Sequence, residues 1–225
     1  MEKSHYHLVV AGAGAGGIAA ALAASRMGAQ TLLLEKEPQI GGTMVASGVS
    51  CWEASASGTG IACELYHRMA SIPDATMIYP TGSPAPRYED TLRCSGLEGT
   101  FKDPNYPYED FITGRYGLIF EPEILAATAM RALEETGSCA VMVNADIVDA
   151  SGTSKVAKEI VYRTQGGECR VTADYFIDSS GDAFLCQRLG CEAMRGADAR
   201  KTFDEPDAPD LPVSDELNGV SLIYR

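Results

Sequence analysis

The clearest feature along the chain is a change of hydrophobic period. His7 to Ala11 is a short run with the apolar block Leu8-Val9-Val10, followed by Gly12-Ala13-Gly14-Ala15-Gly16-Gly17 and then an alanine-rich stretch with Ile18 and Leu22 four residues apart. That succession predicts a buried strand, a tight glycine turn and a helix reaching about Met27, with Gly28 as a left-handed cap. Thr31 to Leu34 predicts a second strand ending at Glu35. Gly60 to Ala70 puts Ile61, Leu65 and Met69 on one helical face, with His67 off that stripe, which reads as a surface residue before a catalytic one. Further on, Glu121-Pro122-Glu123 opens a helix over Ile124 to Glu135, closed by Gly137, because proline fixes φ and acids suit the positive helix end. Ala140 to Ala150 predicts another strand. Val156 to Thr164 and Cys169 to Ile177 alternate apolar and polar positions around Gln165-Gly166-Gly167-Glu168, a hairpin signal, and Ala183 to Leu189 reads as a short helix. Together these elements give an α/β fold with a central parallel sheet.

Composition narrows the partners. The 225 residues are enough for one generous domain, and 31 acids against 18 Lys and Arg leave a formal charge of −13, which repels phosphate backbones and excludes nucleic acid as an expected partner. Seven scattered cysteines without a CxxC pair point to a reducing compartment, here expected to be the cytoplasm, rather than to a disulfide framework. His5, His7 and His67 do not combine with them at zinc-site spacing, so no metal is expected. The uncharged run Leu8 to Ser25 has a secretory-leader alternative. Its Ala and Gly are weak drivers of insertion, and the strand, turn and helix explain the same residues, so no membrane partner is expected.

Gly12, Gly14 and Gly17 satisfy GxGxxG. The first permits the sharp turn, the second lets main-chain N–H groups approach a pyrophosphate, and the third lets the helix lie close to the strand. Glu35 stands 23 residues after Gly12, at the tip of the second strand. A carboxylate there can accept both hydroxyls of an adenosine ribose while repelling the 2′-phosphate of NADP. In this context of strand, turn, helix and acid the motif indicates dinucleotide binding.

The segment from Val9-Val10-Ala11-Gly12 through Leu34-Glu35-Lys36 to Gly41-Gly42-Thr43 resembles the FAD-dependent oxidoreductases with a glutathione-reductase-like FAD domain. The resemblance implies a three-layer Rossmann-like FAD-binding fold of central parallel sheet, β-meander and helices. It implies that Gly41, Gly42 and Thr43 pass along the pyrophosphate and ribityl chain toward the flavin, where side chains would collide with an extended cofactor. Ile177-Asp178-Ser179-Ser180-Gly181-Asp182 is similar to the family's Thr-Gly-Asp turn, whose aspartate hydrogen-bonds the ribityl chain. Ile147, placed by this reading in the third strand, matches the residue whose backbone meets the adenine edge. The implied cofactor-binding set is therefore Gly12, Gly14, Gly17, Glu35, Lys36, Gly41, Gly42, Thr43, Ile147, Gly181 and Asp182, the implied cofactor FAD, and the implied reaction hydride transfer between an unknown small organic substrate and the flavin. From the residues alone, Gly181-Asp182 also reads as a turn with a capped helix behind it. An NAD-binding protein like the thiazole synthases, and a cofactor-binding fragment without turnover, are the alternatives.

Six of the eleven prolines fall between positions 73 and 107, so residues 44–117 read as an insertion near the flavin without long regular elements. It carries Arg87, Tyr88, Arg93, Tyr106, Tyr108, Arg115 and Tyr116, a mixture suited to a carboxylate-bearing or aromatic substrate, and Cys51 and Trp52, which either approach the flavin or pack in the core. No catalytic acid or base is assigned. Flavin disulfide reductases carry Cys-x4-Cys after their Gly-Gly-Thr loop, whereas Met44 stands at its first position here. Cys186 and Cys191 have that spacing but flank a late helix, and they read as thiols without a redox role. Residues 1–197 form the expected FAD domain, and 198–225, beginning with an acidic, proline-bearing stretch, read as a linker and the start of an incomplete substrate domain. The resemblance covers most of residues 7–195, and the expectation is an FAD-dependent oxidoreductase enzyme, with an incomplete, inactive fragment of a larger flavoenzyme as the alternative.

Overall fold

In the computed structural model, which describes residues 4–52, 60–80, 116–193, 196 and 198–211, the opening apolar run is β1 (Ser4–Ala11). Its Leu8 to Ala11 half is buried and apolar because it is central: β2 (Thr31–Leu34) lies parallel on one side and β9 (Gly167–Asp178) parallel on the other. β6 (Cys139–Met142) adds in parallel beyond β2. β7 (Asp146–Thr153) and β8 (Val156–Thr164) complete an antiparallel meander with β9, giving one six-stranded sheet of order β6-β2-β1-β9-β8-β7. The remaining elements are α1 (Ala15–Arg26), a 3-10 turn at Gly42–Met44, β3 (Cys51–Trp52), α2 (Gly60–Ala70), β4 (Thr76–Pro80), β5 (Tyr116–Phe120), α3 (Pro122–Glu134), α4 (Phe184–Arg188) and α5 (Arg200–Phe203).

Alternation along the central strands separates two cores. Leu8, Val10 and Leu33 face the helices and pack with Ile18 and Leu22 of α1, Leu65 and Met69 of α2, and Leu125, Ala129 and Leu133 of α3. Val9, Ala11, Leu32 and Leu34 face the other way, onto Ile160 and Tyr162 of β8 and Val171 of β9. The meander therefore covers the second face although it is hydrogen-bonded into the same sheet, and three layers result. On the helical side, Arg26 of α1 pairs with Glu64 of α2 at 2.7 Å, and Arg68 of α2 pairs with Glu64 at 2.9 Å and with Glu135, just past α3, at 2.7 Å. No helix among the described residues is long and apolar enough to cross a membrane.

One expectation needs correction. Ala140 to Ala150 is not one strand: the chain leaves β6 after Met142, passes through Asn144 at φ +52°, and enters β7 at Asp146. The break turns the chain from the parallel edge into the meander, and asparagine tolerates the left-handed conformation this requires. Ile147 consequently lies in β7 and not in the third strand. Within the proline-rich insertion the described strands are short, β3 of two residues and β4 of five, and they pair with β5 in a separate antiparallel sheet. Arg87, Tyr88, Arg93, Tyr106, Tyr108 and Arg115 lie outside the described residues, as do residues 212–225 and the side chain of Tyr116.

Candidate functional site

The chain's glycine turn sits at the carboxyl end of β1. Gly12 has φ +91°, donates its N–H to the Leu34 carbonyl at 2.8 Å, and faces Ser179, just past the end of β9, so closely that a Cβ would enter the Ser179 carbonyl. A Cβ on Gly17 would enter the carbonyl of Gly12. These two glycines let strand and helix meet. Gly14 differs, because a Cβ there would meet no protein atom within 4 Å. It precedes α1, whose first turn carries no acid and whose end receives no side-chain cap. The N–H groups of Ala15, Gly16 and Gly17 have no acceptors within the helix by its geometry, and the positive helix end favours an anion.

Opposite stands Glu35, only 6% exposed. Its Oε2 accepts the Ala13 N–H at 2.8 Å and its Oε1 accepts the Glu37 N–H at 2.9 Å, while its backbone carbonyl accepts the Ala145 N–H at 2.8 Å. The carboxylate thus fixes the glycine turn to the end of β2, and each oxygen retains further acceptor capacity in a residue that lines the cleft. Gly41, at φ +122°, gives its N–H to the Ala13 carbonyl at 2.8 Å; a Cβ on Gly42 would stand 2.9 Å from the Gly14 Cα. The Gly-Gly loop therefore rests directly on the turn.

The far rim is held by Asp178, at the end of β9. Its Oδ1 accepts the Ser180 N–H at 3.0 Å and the Ser180 hydroxyl at 2.7 Å, and its Oδ2 accepts the Cys186 N–H at 2.8 Å. Burial works against the charge, but the bonds from Ser180 and Cys186 prevail and hold the carboxyl below the usual aspartate value. The Ser180 hydroxyl oxygen in turn accepts the Phe184 N–H at 2.9 Å. That bond caps α4, a role the sequence had left open for Asp182. Asp182 is exposed and projects from the same turn, beside Gly181 at φ +83°.

These parts enclose a cleft of about 810 Å³, within the roughly 300–1,000 Å³ usual for small-molecule and cofactor sites. Of the residues singled out from sequence, Gly12, Gly14, Glu35, Lys36, Gly42, Thr43, Ile147, Gly181 and Asp182 line it. Gly17 and Gly41 are buried behind it, where they set the backbone. Trp52 is elsewhere: its ring packs on Phe120 at 4.8 Å between centroids and its Nε1 lies 3.3 Å from Met44 Sδ. Cys51 pairs across β3 and β5 with Ile119. His67 stacks edge-on against Tyr66 on α2. The residues missed in the sequence are Asp178 and Ser180; the signal was Asp178-Ser179-Ser180 itself, a spacing at which an aspartate closes a turn on the N–H two residues ahead. The bare Gly14 edge, the uncapped helix end and the buried acid with acceptor capacity to spare suit an extended dinucleotide.

A comparison with curated protein sequences gives no match. Among solved structures the fold is similar to p-nitrophenol 4-monooxygenase PnpA from Pseudomonas putida (TM-score 0.55, 13% identity, 87% of this chain and 44% of that one). It is also similar to the myxobacterial chondrochloren halogenase CndH, a variant of FAD-dependent halogenases (0.53, 20%, 79% and 37%), and to OxyS anhydrotetracycline hydroxylase from Streptomyces rimosus (0.52, 16%, 77% and 31%). The chain spans less than half the length of each of these structures. The sequence matches the family described as FAD dependent oxidoreductase over residues 7–221, nearly its whole length, and the chain belongs to that family.

Proposed function

We propose that this chain is the FAD-holding part of an oxidoreductase that moves hydride between a small organic substrate and the flavin. The observation that carries the reading is the pairing of an uncapped α1 amino end, faced by Gly14, with the buried carboxylate of Glu35 across one cleft. Main-chain N–H groups from Gly14 to Gly17 bind the diphosphate, and the helix end supplies the favourable potential. Glu35 accepts the two ribose hydroxyls of the adenosine end and disfavours a 2′-phosphate. Ile147, on β7, packs beside the adenine, and Lys36 flanks that end. Thr43 and the Gly41-Gly42 loop line the path toward the flavin, and Asp182 accepts a hydroxyl of the ribityl chain. When bound, FAD supplies the redox chemistry; these residues orient it and exclude water from its diphosphate. We infer a cytoplasmic setting, supported by scattered cysteines without a CxxC pair. The family favours flavin over the NAD-binding alternative.

The purified chain should be yellow, with a flavin absorption spectrum, and should release FAD on denaturation. Glu35→Ala should weaken FAD retention by about tenfold or more, the value of one or two hydrogen bonds to a charged group. A colourless protein that releases NAD, or full FAD occupancy in Glu35→Ala, would overturn the assignment.

A further inference from the structure

The carboxyl end of α4 brings together two thiols that the cofactor site does not use. The helix closes on Gly190 at φ +77°, whose N–H bonds the Gln187 carbonyl at 3.1 Å, while the Cys191 N–H bonds the Cys186 carbonyl at 3.0 Å. This pair of reverse bonds is the glycine-capped helix end in which the residue after the glycine folds back onto the side chain five positions earlier. Those two positions are Cys191 and Cys186. The backbone bond from Cys191 to Cys186 accordingly brings the two cysteines side by side at the helix end, and the Cys186 N–H bond to Asp178 Oδ2 at 2.8 Å places Cys186 next to that carboxylate. Cys191 Sγ is 3.8 Å from the Ser154 carbonyl, in the turn between β7 and β8. Both cysteines are free and half-buried.

We propose that Cys186 and Cys191 form a reversible redox pair, converted to a disulfide by exchange with a small-molecule disulfide and reopened by a small-molecule thiol. This departs from the expectation that both are thiols without a redox role. The Cys191 thiolate attacks one sulfur of the small disulfide, forming a mixed disulfide and expelling one thiolate. The Cys186 sulfur then attacks Cys191 Sγ, the second small thiolate leaves, and the Cys186 proton passes to it. The protein loses two hydrogens and two electrons, and the small disulfide becomes two thiols. The order follows from surroundings: burial, then the Asp178 carboxylate, push the Cys186 thiol up to about 11, so Cys186 is the resolving partner rather than the first nucleophile. The ring closed is only a few residues long, so the bridge constrains the unfolded chain weakly and stays reducible.

Oxidation is felt at the cleft. A disulfide removes the Cys186 thiol proton from beside Asp178, which keeps the bonds from Ser180 and the Cys186 N–H. Asp178 lines the cleft beside Gly181 and Asp182, so the pair reports redox state to the rim of the site. The inference rests on the geometry of α4 and stands whether or not the cofactor assignment does.

The test is to equilibrate the full chain in buffers of reduced and oxidised glutathione, alkylate the remaining thiols, and digest with trypsin without reduction. Trypsin cuts after Arg188, between the two cysteines, so a bridge keeps two peptides joined. The expected result is concerted loss of alkylation at Cys186 and Cys191, appearance of the joined peptides, and full recovery on adding thiol. Cys186→Ser should instead accumulate a glutathione adduct on Cys191, whereas Cys191→Ser should leave Cys186 alkylatable and free of adduct. Alkylation of both cysteines at every ratio, glutathione adducts persisting on the wild-type pair, or a bridge from either residue to a different cysteine would overturn the proposal.

Discussion

The two rims of the cleft reach the same precision by opposite means. At the β1–α1 corner the geometry is made by missing side chains: Gly12 and Gly17 touch backbone, Gly42 rests on Gly14, and the protein's hydrogen bonds there are main-chain bonds anchored on one carboxylate. At the β9–α4 corner it is made by a side-chain network, with Asp178 holding Ser180 and Cys186 and Ser180 holding Phe184. The first kind of corner fails by steric collision and the second by loss of hydrogen bonds. The first is therefore all-or-none, and the second is graded.

The largest contrast lies within the glycine turn. Gly17→Val puts a side chain into the Gly12 carbonyl, where no flexible group can yield, and is expected to destabilise the fold by about 3 kcal/mol or more. Gly14→Val faces open cleft and is expected to leave stability within roughly 0.5 kcal/mol while abolishing FAD retention. Denaturant midpoints and cofactor absorbance of the two variants separate folding from binding. Equal stability loss in both would show that Gly14 is structural and that the cleft edge has been misread.

The side-chain corner should give smaller, divided effects. Asp178→Asn removes the charge from bonds to Ser180 and Cys186 and presents an amide where only acceptors fit, for an expected loss of about 1–3 kcal/mol in unfolding free energy. Asp182→Asn should leave stability unchanged, since that carboxylate is exposed, and weaken FAD by roughly tenfold through the ribityl contact proposed for it. Titrating the apoprotein of each variant with FAD and following flavin fluorescence reads the binding half. If Asp178→Asn costs no stability, the network does not hold the rim.

The same division explains what was legible in the sequence. Where geometry forbids a side chain, residue identity is dictated directly, so Gly12 and Gly17 announced the turn, while Gly14 and the acid at Glu35, which the fold leaves facing the cleft, pointed to a partner, and the apolar strand segments beside them showed as apolar runs. α2 was legible from Ile61, Leu65 and Met69 because its packing is periodic. Asp178 and Ser180 were overlooked in favour of Gly181-Asp182, since a hydrogen-bonded aspartate and an exposed one look alike until β9 is placed beside β1. The break at Asn144 was hidden because apolar residues continue on both sides of it, and only the demand to leave the parallel edge makes a turn there. β3, β4 and β5 escaped notice because each is short and Pro80 ends β4, so composition argued against strands that tertiary pairing supplies.

The smallest effect expected is an acid-side loss of stability that the two corners do not share. Bonds from Ser180 and Cys186, acting against burial, hold the Asp178 carboxyl below its ordinary 3.8. On the helical face, bonds and charge from Arg26 and Arg68 hold Glu64 below 4.5. A carboxyl whose folded value is depressed binds its proton less readily in the native state than in the unfolded one. Its contribution is thus complete above the ordinary value and disappears as pH falls through the depressed folded value. Stability should be flat from neutral pH to about 5 and then decline. Asp178→Asn should remove only the part of the decline that lies below about pH 4, and Glu64→Gln the part that begins nearer 4.5 and weakens with added salt. Thermal midpoints of the three proteins across this range, at low and high ionic strength, decide the matter: an Asp178→Asn profile as steep as the wild type would mean that the far rim gains nothing from its charge, and the graded character assigned to that corner would be lost.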